Sequence, residues 1–332
     1  MNTPLFWIRN ARSKSIPQSL MPALLAISLA VPVSGFSWWL SGIALLGVVS
    51  GHLGLNLFDD YFDYRKKKTN YRDELTHEGF RARIGKCLYI TSGQTTMAKL
   101  FVAASVFCAV ALVAGLVVFY FRGLFILYII LATAILGLSY SAPPLRLSYH
   151  GMGELVIGLI FGPMNMVGSY YAACGTISGS IIFISVPVGL LVMNIVYVHS
   201  IMDFIPDKKI GKKTFAVLLN SKGGMLAALA IILSTPFIII AAGILTHHLS
   251  PFYWLAFLGL PMAYSLFSLM IEFVKNPEKK FSPRFWMGPM GDWERLEKAG
   301  IDWFMIRWLS ARNLLTLFCL IIIVSAFLYV QI

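Results

Sequence analysis

Apolar runs of about twenty residues recur along almost the whole chain, and nothing else in the sequence constrains the fold as tightly. Each run can cross a hydrocarbon core of ~30 Å as a helix. Lipid offers no partner to a backbone N–H or C=O, so runs of this length are expected to be helical. The expected spans are 19–37, 41–62, 95–119, 124–141, 153–174, 181–203, 224–246, 252–274 and 311–331. The expected fold class is therefore all-α, a polytopic membrane bundle of nine transmembrane helices. Residues 1–332 read as one domain with a charged loop over 64–92. A stretch over 276–310 is too polar to span and carries Trp286, Trp293, Trp303 and Trp308 among charges. An amphipathic helix lying on the membrane surface is expected there.

With 58% hydrophobic and 13% charged residues, a soluble globule is excluded. The net charge of +12 would point to nucleic acid in a soluble domain. In a membrane chain it reads first as topology, so the expected partner is the bilayer and not nucleic acid. If the N-terminus is cytoplasmic, the segments after the second, fourth, sixth and eighth spans are cytoplasmic too. Those segments and the adjoining helix ends hold every Lys and Arg except Arg122. The bias predicts a bacterial inner-membrane protein whose polar site faces the cytoplasm. Cys87, Cys108, Cys174 and Cys319 lack paired or metal-type spacing and read as free thiols. No cleavable signal is evident at the N-terminus.

Two charged clusters sit at the ends of apolar runs. In His52-Leu-Gly-Leu-Asn56-Leu-Phe-Asp59-Asp60-Tyr-Phe-Asp63 the polar residues recur every three to four positions and share one helix face. Repelling carboxylates this close call for a cation, and hard oxygen donors without Cys favour Mg2+ held together with substrate phosphates. A solvated helix end balanced by Arg65–Lys68 is the plain alternative. Asp203 and Asp207, four apart, head a second cluster that continues into Lys208, Lys209, Gly211, Lys212 and Lys213. Acids followed by bases in both places predict a metal-bridged polyphosphate, with lysines taking the remaining charge.

Other elements are open to two readings. His199 lines the same site or bonds a neighbouring helix. Glu154 faces a cavity or favours its helix N-terminus. Gly158, Gly162 and Gly168 clear space for a wide ligand or let helices pack closely. Arg81, Arg83 and Lys86 form a lid over phosphate or are ordinary cytoplasmic charge.

Together these residues resemble the UbiA superfamily of intramembrane prenyltransferases. The family's Asn/Asp-Asp-x-x-Asp motif matches Asp59-Asp60-x-x-Asp63, and its Asp-x-x-x-Asp-x-x-x-Gly-x-Lys motif matches Asp203, Asp207, Gly211 and Lys213. A Tyr-Ser-x-Pro-Pro element matches Tyr140–Pro144, and Gly-x-Gly-Glu matches Gly151–Glu154. Within the superfamily the chain is most similar to the 1,4-dihydroxy-2-naphthoate polyprenyltransferases of menaquinone synthesis. Asn56-Leu-Phe, Phe161-Gly-Pro163, Gly168-x-Tyr170-Tyr171 and Arg12 with Ile16-Pro17 carry that closer likeness. Asp59 stands where the family usually has Asn, and Met202 where this branch often has Arg.

The resemblance implies Mg2+-dependent transfer of a polyprenyl group from an allylic diphosphate to an aromatic acceptor. It implies that Asp60, Asp63, Asp203 and Asp207 are catalytic and, with Asp59, hold Mg2+. Substrate would be bound by His52, Asn56, Asp59, Arg83, Tyr140, His199, Lys209 and Lys213. Other acceptors are 4-hydroxybenzoate, haem or a lipid precursor. A cation-coupled transporter is the non-enzymatic rival, but its acids should lie near the bilayer midplane and these sit at span ends. A CDP-alcohol phosphotransferase would carry an Asp-Gly-x-x-Ala-Arg opening that is absent.

Overall fold

The computed structural model describes residues 3–66 and 87–330. Among the described residues all the regular structure is helical, with one isolated β-type bridge between His150 and Lys213. Among the described residues, eight helices are long and apolar enough to cross a membrane: Trp38–Arg65, Met97–Arg122, Leu124–Ser141, Gly153–Cys174, Gly179–Met202, Lys222–Leu245, Pro251–Lys275 and Asp302–Leu328. The first expected span, 19–37, is the shorter helix Pro17–Ala30, whose 14 residues cover about 21 Å. The expected all-α polytopic architecture holds, and the chain is an integral membrane protein. Large apolar side chains such as Val106, Val113, Ile135 and Ile231 point outward, as they do where the solvent is lipid.

The chain forms two compact units. The first comprises Met1–Tyr149 with Met164–Ile177. It is built on the paired helices Trp38–Lys66 and Met97–Arg122, which small residues allow to approach closely. A Cβ on Gly54 would lie 2.6 Å from the Cys108 sulfur, and one on Gly47 3.3 Å from the Ala114 Cβ. The N-terminal helix Pro4–Asn10, capped by the Thr3 hydroxyl, joins a buried cluster of Trp7, Ala11, Leu53, Leu57 and Tyr89. That cluster seats the N-terminal segment on the acidic end of the helix Trp38–Lys66.

At the other end of this unit Arg122, the lone exception to the charge bias, has a structural duty. Its guanidinium donates to the carbonyls of Ala172 (2.9 Å), Ala173 (2.6 Å) and Gly35 (2.9 Å). Two of these belong to the last turn of a helix, where carbonyls have no intrahelical partner. Arg122→Ala should therefore destabilise the protein by about 2–4 kcal/mol. Arg122→Lys should recover only part of that, because an ammonium cannot reproduce the fork. Thermal unfolding in detergent tests this, and an unchanged midpoint for the Ala variant would refute it.

The second unit comprises His150–Pro163 with Ser178–Ile332. Its central helix is Gly179–Met202, with Ile184, Val188, Leu191, Ile195 and Val198 fully buried. It packs against the helices Gly153–Leu159, Lys222–Leu245 and Asp302–Val330. A Cβ on Gly162 would lie 2.2 Å from the Gly189 Cα, and one on Gly158 2.9 Å from the Gly189 carbonyl oxygen. These glycines are consumed by backbone contact, and a Cβ on Gly168 would meet Ile129 at 3.1 Å. The structure thus favours close packing over a cleared cavity at all three. Pro163 cannot donate to the helical ladder, and the chain passes it in a π-turn over Ile160–Met164.

The stretch 276–310 differs from the single amphipathic helix expected there. The helix before it ends at Lys275, and a 3-10 turn at Phe285–Met287 and a short helix Trp293–Lys298 follow. The last long helix then begins at Asp302 and not at 311. Its first turns look polar in sequence, yet Arg307 is fully buried. Its guanidinium donates to the Leu269 (3.1 Å) and Trp303 (2.5 Å) carbonyls and lies 4.9 Å from the Phe273 ring centre. Asn313 holds the loop by donating to the carbonyls of Met287 and Pro289, each at 2.9 Å. A charged residue satisfied internally leaves no signature that distinguishes it from a surface charge.

Candidate active site

Asp59, Asp60 and Asp63 project from one face at the end of the helix Trp38–Lys66, as their spacing predicts. Each already has a partner within the first unit. The Arg12 guanidinium donates to Asp59 Oδ2 at 2.7 Å and also to Asp60 Oδ1. The Ser141 hydroxyl donates to Asp59 Oδ1, and the Tyr89 hydroxyl to Asp60 Oδ2 at 2.9 Å. The Tyr149 hydroxyl donates to Asp63 Oδ1 at 2.8 Å. Asp60 is almost fully buried.

Electrostatics keeps Arg12 and Tyr89 in their donor forms. Burial works against the charge on Arg12, but the fields of Asp60 and Asp59 and the hydrogen bonds to both outweigh it, so its pKa is raised. Burial, reinforced by the Asp60 charge, pushes the Tyr89 phenol far above the ordinary tyrosine range. Arg12 holds left-handed backbone angles (φ 60°, ψ 47°), uncommon for a residue with a side chain.

His52 and Asn56 hold the segment that carries Arg12. The His52 ring nitrogens lie 2.8 Å from the Ser19 hydroxyl and 2.9 Å from that of Ser15. Asn56 donates to the Ala11 carbonyl at 3.0 Å. Tyr140 is half-buried in the last turn of the helix Leu124–Ser141. Arg81, Arg83 and Lys86, the expected lid, lie outside the described residues.

In the second unit Asp203 and Asp207 are both buried, at 1% and 2% exposure. The helix Gly179–Met202 ends at Asp203, and a second helix runs over Phe204–Lys209. His199 Nε2 lies 2.8 Å from Asp203 Oδ2, with the imidazole ring edge-on to Phe304. Lys209 and Lys213 are exposed, and the turn between them bends at Gly211, whose φ is +72°. That turn is closed by Lys212 N–H donating to the Asp207 carbonyl at 2.9 Å.

The residues that sequence reasoning left without a role are Arg12, Tyr89, Ser141 and Tyr149. Ser141 lies inside the Tyr-Ser-x-Pro-Pro element, which was a usable signal. Arg12 was marked only as part of the family likeness, and it, Tyr89 and Tyr149 reach the acids across 47, 29 and 86 positions of chain separation, which no local pattern shows.

Arg12 also shows what the acids accept, since one cationic group serves two carboxylates. Among the described residues no group of three His, Cys, Asp or Glu side chains could enclose a metal alone. Mg2+ needs no such cage, being held by one or two carboxylates plus phosphate oxygens and waters. An all-carboxylate donor set at a helix end fits that use.

An all-α membrane fold with acids at the ends of two separate helices is the arrangement expected of an intramembrane prenyltransferase. The UbiA prenyltransferase family model matches residues 19–288, and the chain belongs to that family. It is 26% identical to the 1,4-dihydroxy-2-naphthoate octaprenyltransferase of Bacillus subtilis, over 75% of this chain and 77% of that protein. Identity to the enzyme of the same name from Mycobacterium tuberculosis is 25%, over 64% of this chain and 70% of that protein. The fold is shared with a UbiA homolog from Archaeoglobus fulgidus bound to GPP and Mg2+. That match has a TM-score of 0.58 at 15% identity and covers 98% of this chain and 99% of that one.

Proposed function

We propose that this prenyltransferase moves a polyprenyl group from an allylic diphosphate to 1,4-dihydroxy-2-naphthoate, in an Mg2+-dependent step of menaquinone synthesis. The observation that carries the reading is the triad Asp59, Asp60 and Asp63, two of whose carboxylates share one cationic group. The choice of acceptor is supported by the names of relatives aligned over most of the chain.

Asp60, Asp63, Asp203 and Asp207, with Asp59 beside them, would hold Mg2+, which supplies charge neutralisation to the departing diphosphate. Lys209 and Lys213 take up the remaining phosphate charge, Arg83 adds to them, and Tyr140 and His199 contact the substrates. His52 and Asn56 act through the N-terminal segment, keeping Arg12 over the acids. The allylic C–O bond breaks, diphosphate leaves with the electron pair, and the delocalised cation is attacked by the electron-rich ring. The attacked carbon bears a carboxylate, so the new C–C bond forms as CO2 is lost. The prenyl tail stays among apolar helices, an environment it prefers to water.

Purified protein given Mg2+, a labelled allylic diphosphate and the naphthoate should release one CO2 per prenylated product and stop when EDTA is added. Prenylation of 4-hydroxybenzoate with the carboxyl group retained, and none of the naphthoate, would overturn the acceptor assignment alone.

The acidic ends are proposed to face the cytoplasm of a bacterial inner membrane, on the strength of the charge bias. In a cysteine-free background, Ile177→Cys should label from outside the cell. A cysteine placed at Asn220 should not, and the reverse pattern would invert the topology. Ile177 suits the purpose because its side chain is exposed.

A further inference from the structure

Glu154 is buried at 2% exposure, and the reaction just described gives it no task. It opens the helix Gly153–Leu159, and its partners lie on two other elements of the same unit. Its Oε1 accepts from the Ser200 hydroxyl, one turn before Asp203 in the helix Gly179–Met202. The same oxygen accepts from the Phe215 backbone N–H at 3.2 Å.

Phe215 is the first residue of the helix Phe215–Leu219, whose initial N–H groups need an acceptor. Thr214 occupies the capping position there but makes no side-chain cap bond. Glu154 therefore does from a distance what a capping residue does locally. Two further contacts tie the same strip of chain to the turn before Gly153. His150 and Lys213 form a parallel bridge. Gly151 has φ +80°, and a Cβ there would lie 2.1 Å from a Leu218 methyl carbon. The chain is thus pinned at Lys213 and just after it, and the Glu154 anchor also grips the helix that ends in Asp203.

We propose that Glu154 is a positioning residue that sets Lys213 relative to Asp203 and Asp207, and so sets diphosphate affinity. This rests on the assignment of Lys213 to the diphosphate given above. What Glu154 supplies is an acceptor oxygen in a fixed place and not its charge. A glutamine amide oxygen can accept the same two hydrogen bonds, whereas a leucine of similar size leaves the Phe215 N–H and the Ser200 hydroxyl buried without that acceptor.

Two readouts that need no acceptor substrate test this on the full chain in detergent. One is binding of geranyl thiodiphosphate, an unreactive analogue, with Mg2+ present. The other is amide hydrogen exchange over residues 208–218. Glu154→Leu should weaken analogue binding about tenfold and speed exchange at Phe215 by a similar factor. Glu154→Gln should stay close to wild type in both. Ser200→Ala, which removes one arm of the contact, should shift binding in the same direction by less, and serves as the probe if the Leu variant does not fold. Lys213→Met should weaken analogue binding without changing exchange at Phe215.

A Gln variant as impaired as the Leu variant would overturn the inference, because the charge would then be the requirement. Unchanged Phe215 exchange in both Glu154→Leu and Ser200→Ala would overturn it too. So would faster exchange with undiminished binding, provided Lys213→Met still binds weakly. Undiminished binding by Lys213→Met would instead remove Lys213 from the diphosphate, a failure of the assignment beneath this one.

Discussion

Asp203→Asn is expected to lower turnover by about a thousandfold, or ~4 kcal/mol of transition-state stabilisation, and to leave the fold intact. Asn keeps the shape of the side chain and an oxygen that can accept from His199, which lies 2.8 Å from the carboxylate. What disappears is one negative charge from a donor set whose proposed work is to hold Mg2+ against a diphosphate. Asp60→Asn, Asp63→Asn and Asp207→Asn should fall comparably, since carboxylates acting as a unit lose function together. Asp60→Asn carries a second expectation. Arg12 and Tyr89 donate to different oxygens of that carboxylate, and an amide keeps only one acceptor oxygen, so one of the two donors would face an NH2 group. It should therefore also loosen the N-terminal segment, visible as faster proteolysis near Arg12. Near-wild-type turnover in any two of the four Asn variants, with unfolding midpoints unchanged, would refute the requirement for both acid pairs.

Gly162→Val should have the largest effect on stability. A Cβ at 162 would sit 2.2 Å from the Gly189 Cα and 2.7 Å from the Gly189 nitrogen, both backbone atoms that cannot rotate aside. Two helices of the second unit would have to separate, and a single added methyl costs about 1–3 kcal/mol even in a yielding core. Gly162→Ala should lower the thermal midpoint clearly, and Gly162→Val should fail to accumulate as folded protein. Gly42→Ala is the control, because a Cβ there meets nothing within 4 Å. Equal midpoints for Gly162→Ala and Gly42→Ala would show that the close approach at Gly189 is not required.

The membrane architecture was legible because lipid removes alternatives. A twenty-residue apolar run has few ways to satisfy its backbone other than a helix, so length and hydropathy alone sufficed. The acidic face of the helix Trp38–Lys66 was legible too, since a period of three to four residues needs only local geometry. Residues 276–310 misled for the opposite reason. Arg307 and the nearby Asn313 look like surface chemistry until carbonyls of Leu269, Met287 and Pro289 are seen to receive them. The glycines of the fifth span were ambiguous in the same way, because a missing side chain marks a cavity and a close contact alike.

By itself, then, the sequence determined the class of fold, the placement of the carboxylates at helix ends and the family, all set by short-range periodicity and motif spacing. Only the tertiary structure decided that Arg12 serves Asp59 and Asp60, that Arg122 closes a helix end, and that Glu154 accepts from the first N–H of the helix after Lys213. Each of these is a polar contact between residues far apart in the chain. In a protein whose exterior is lipid, buried polar groups gain by finding one another, and which ones meet depends on helix packing that no local pattern encodes.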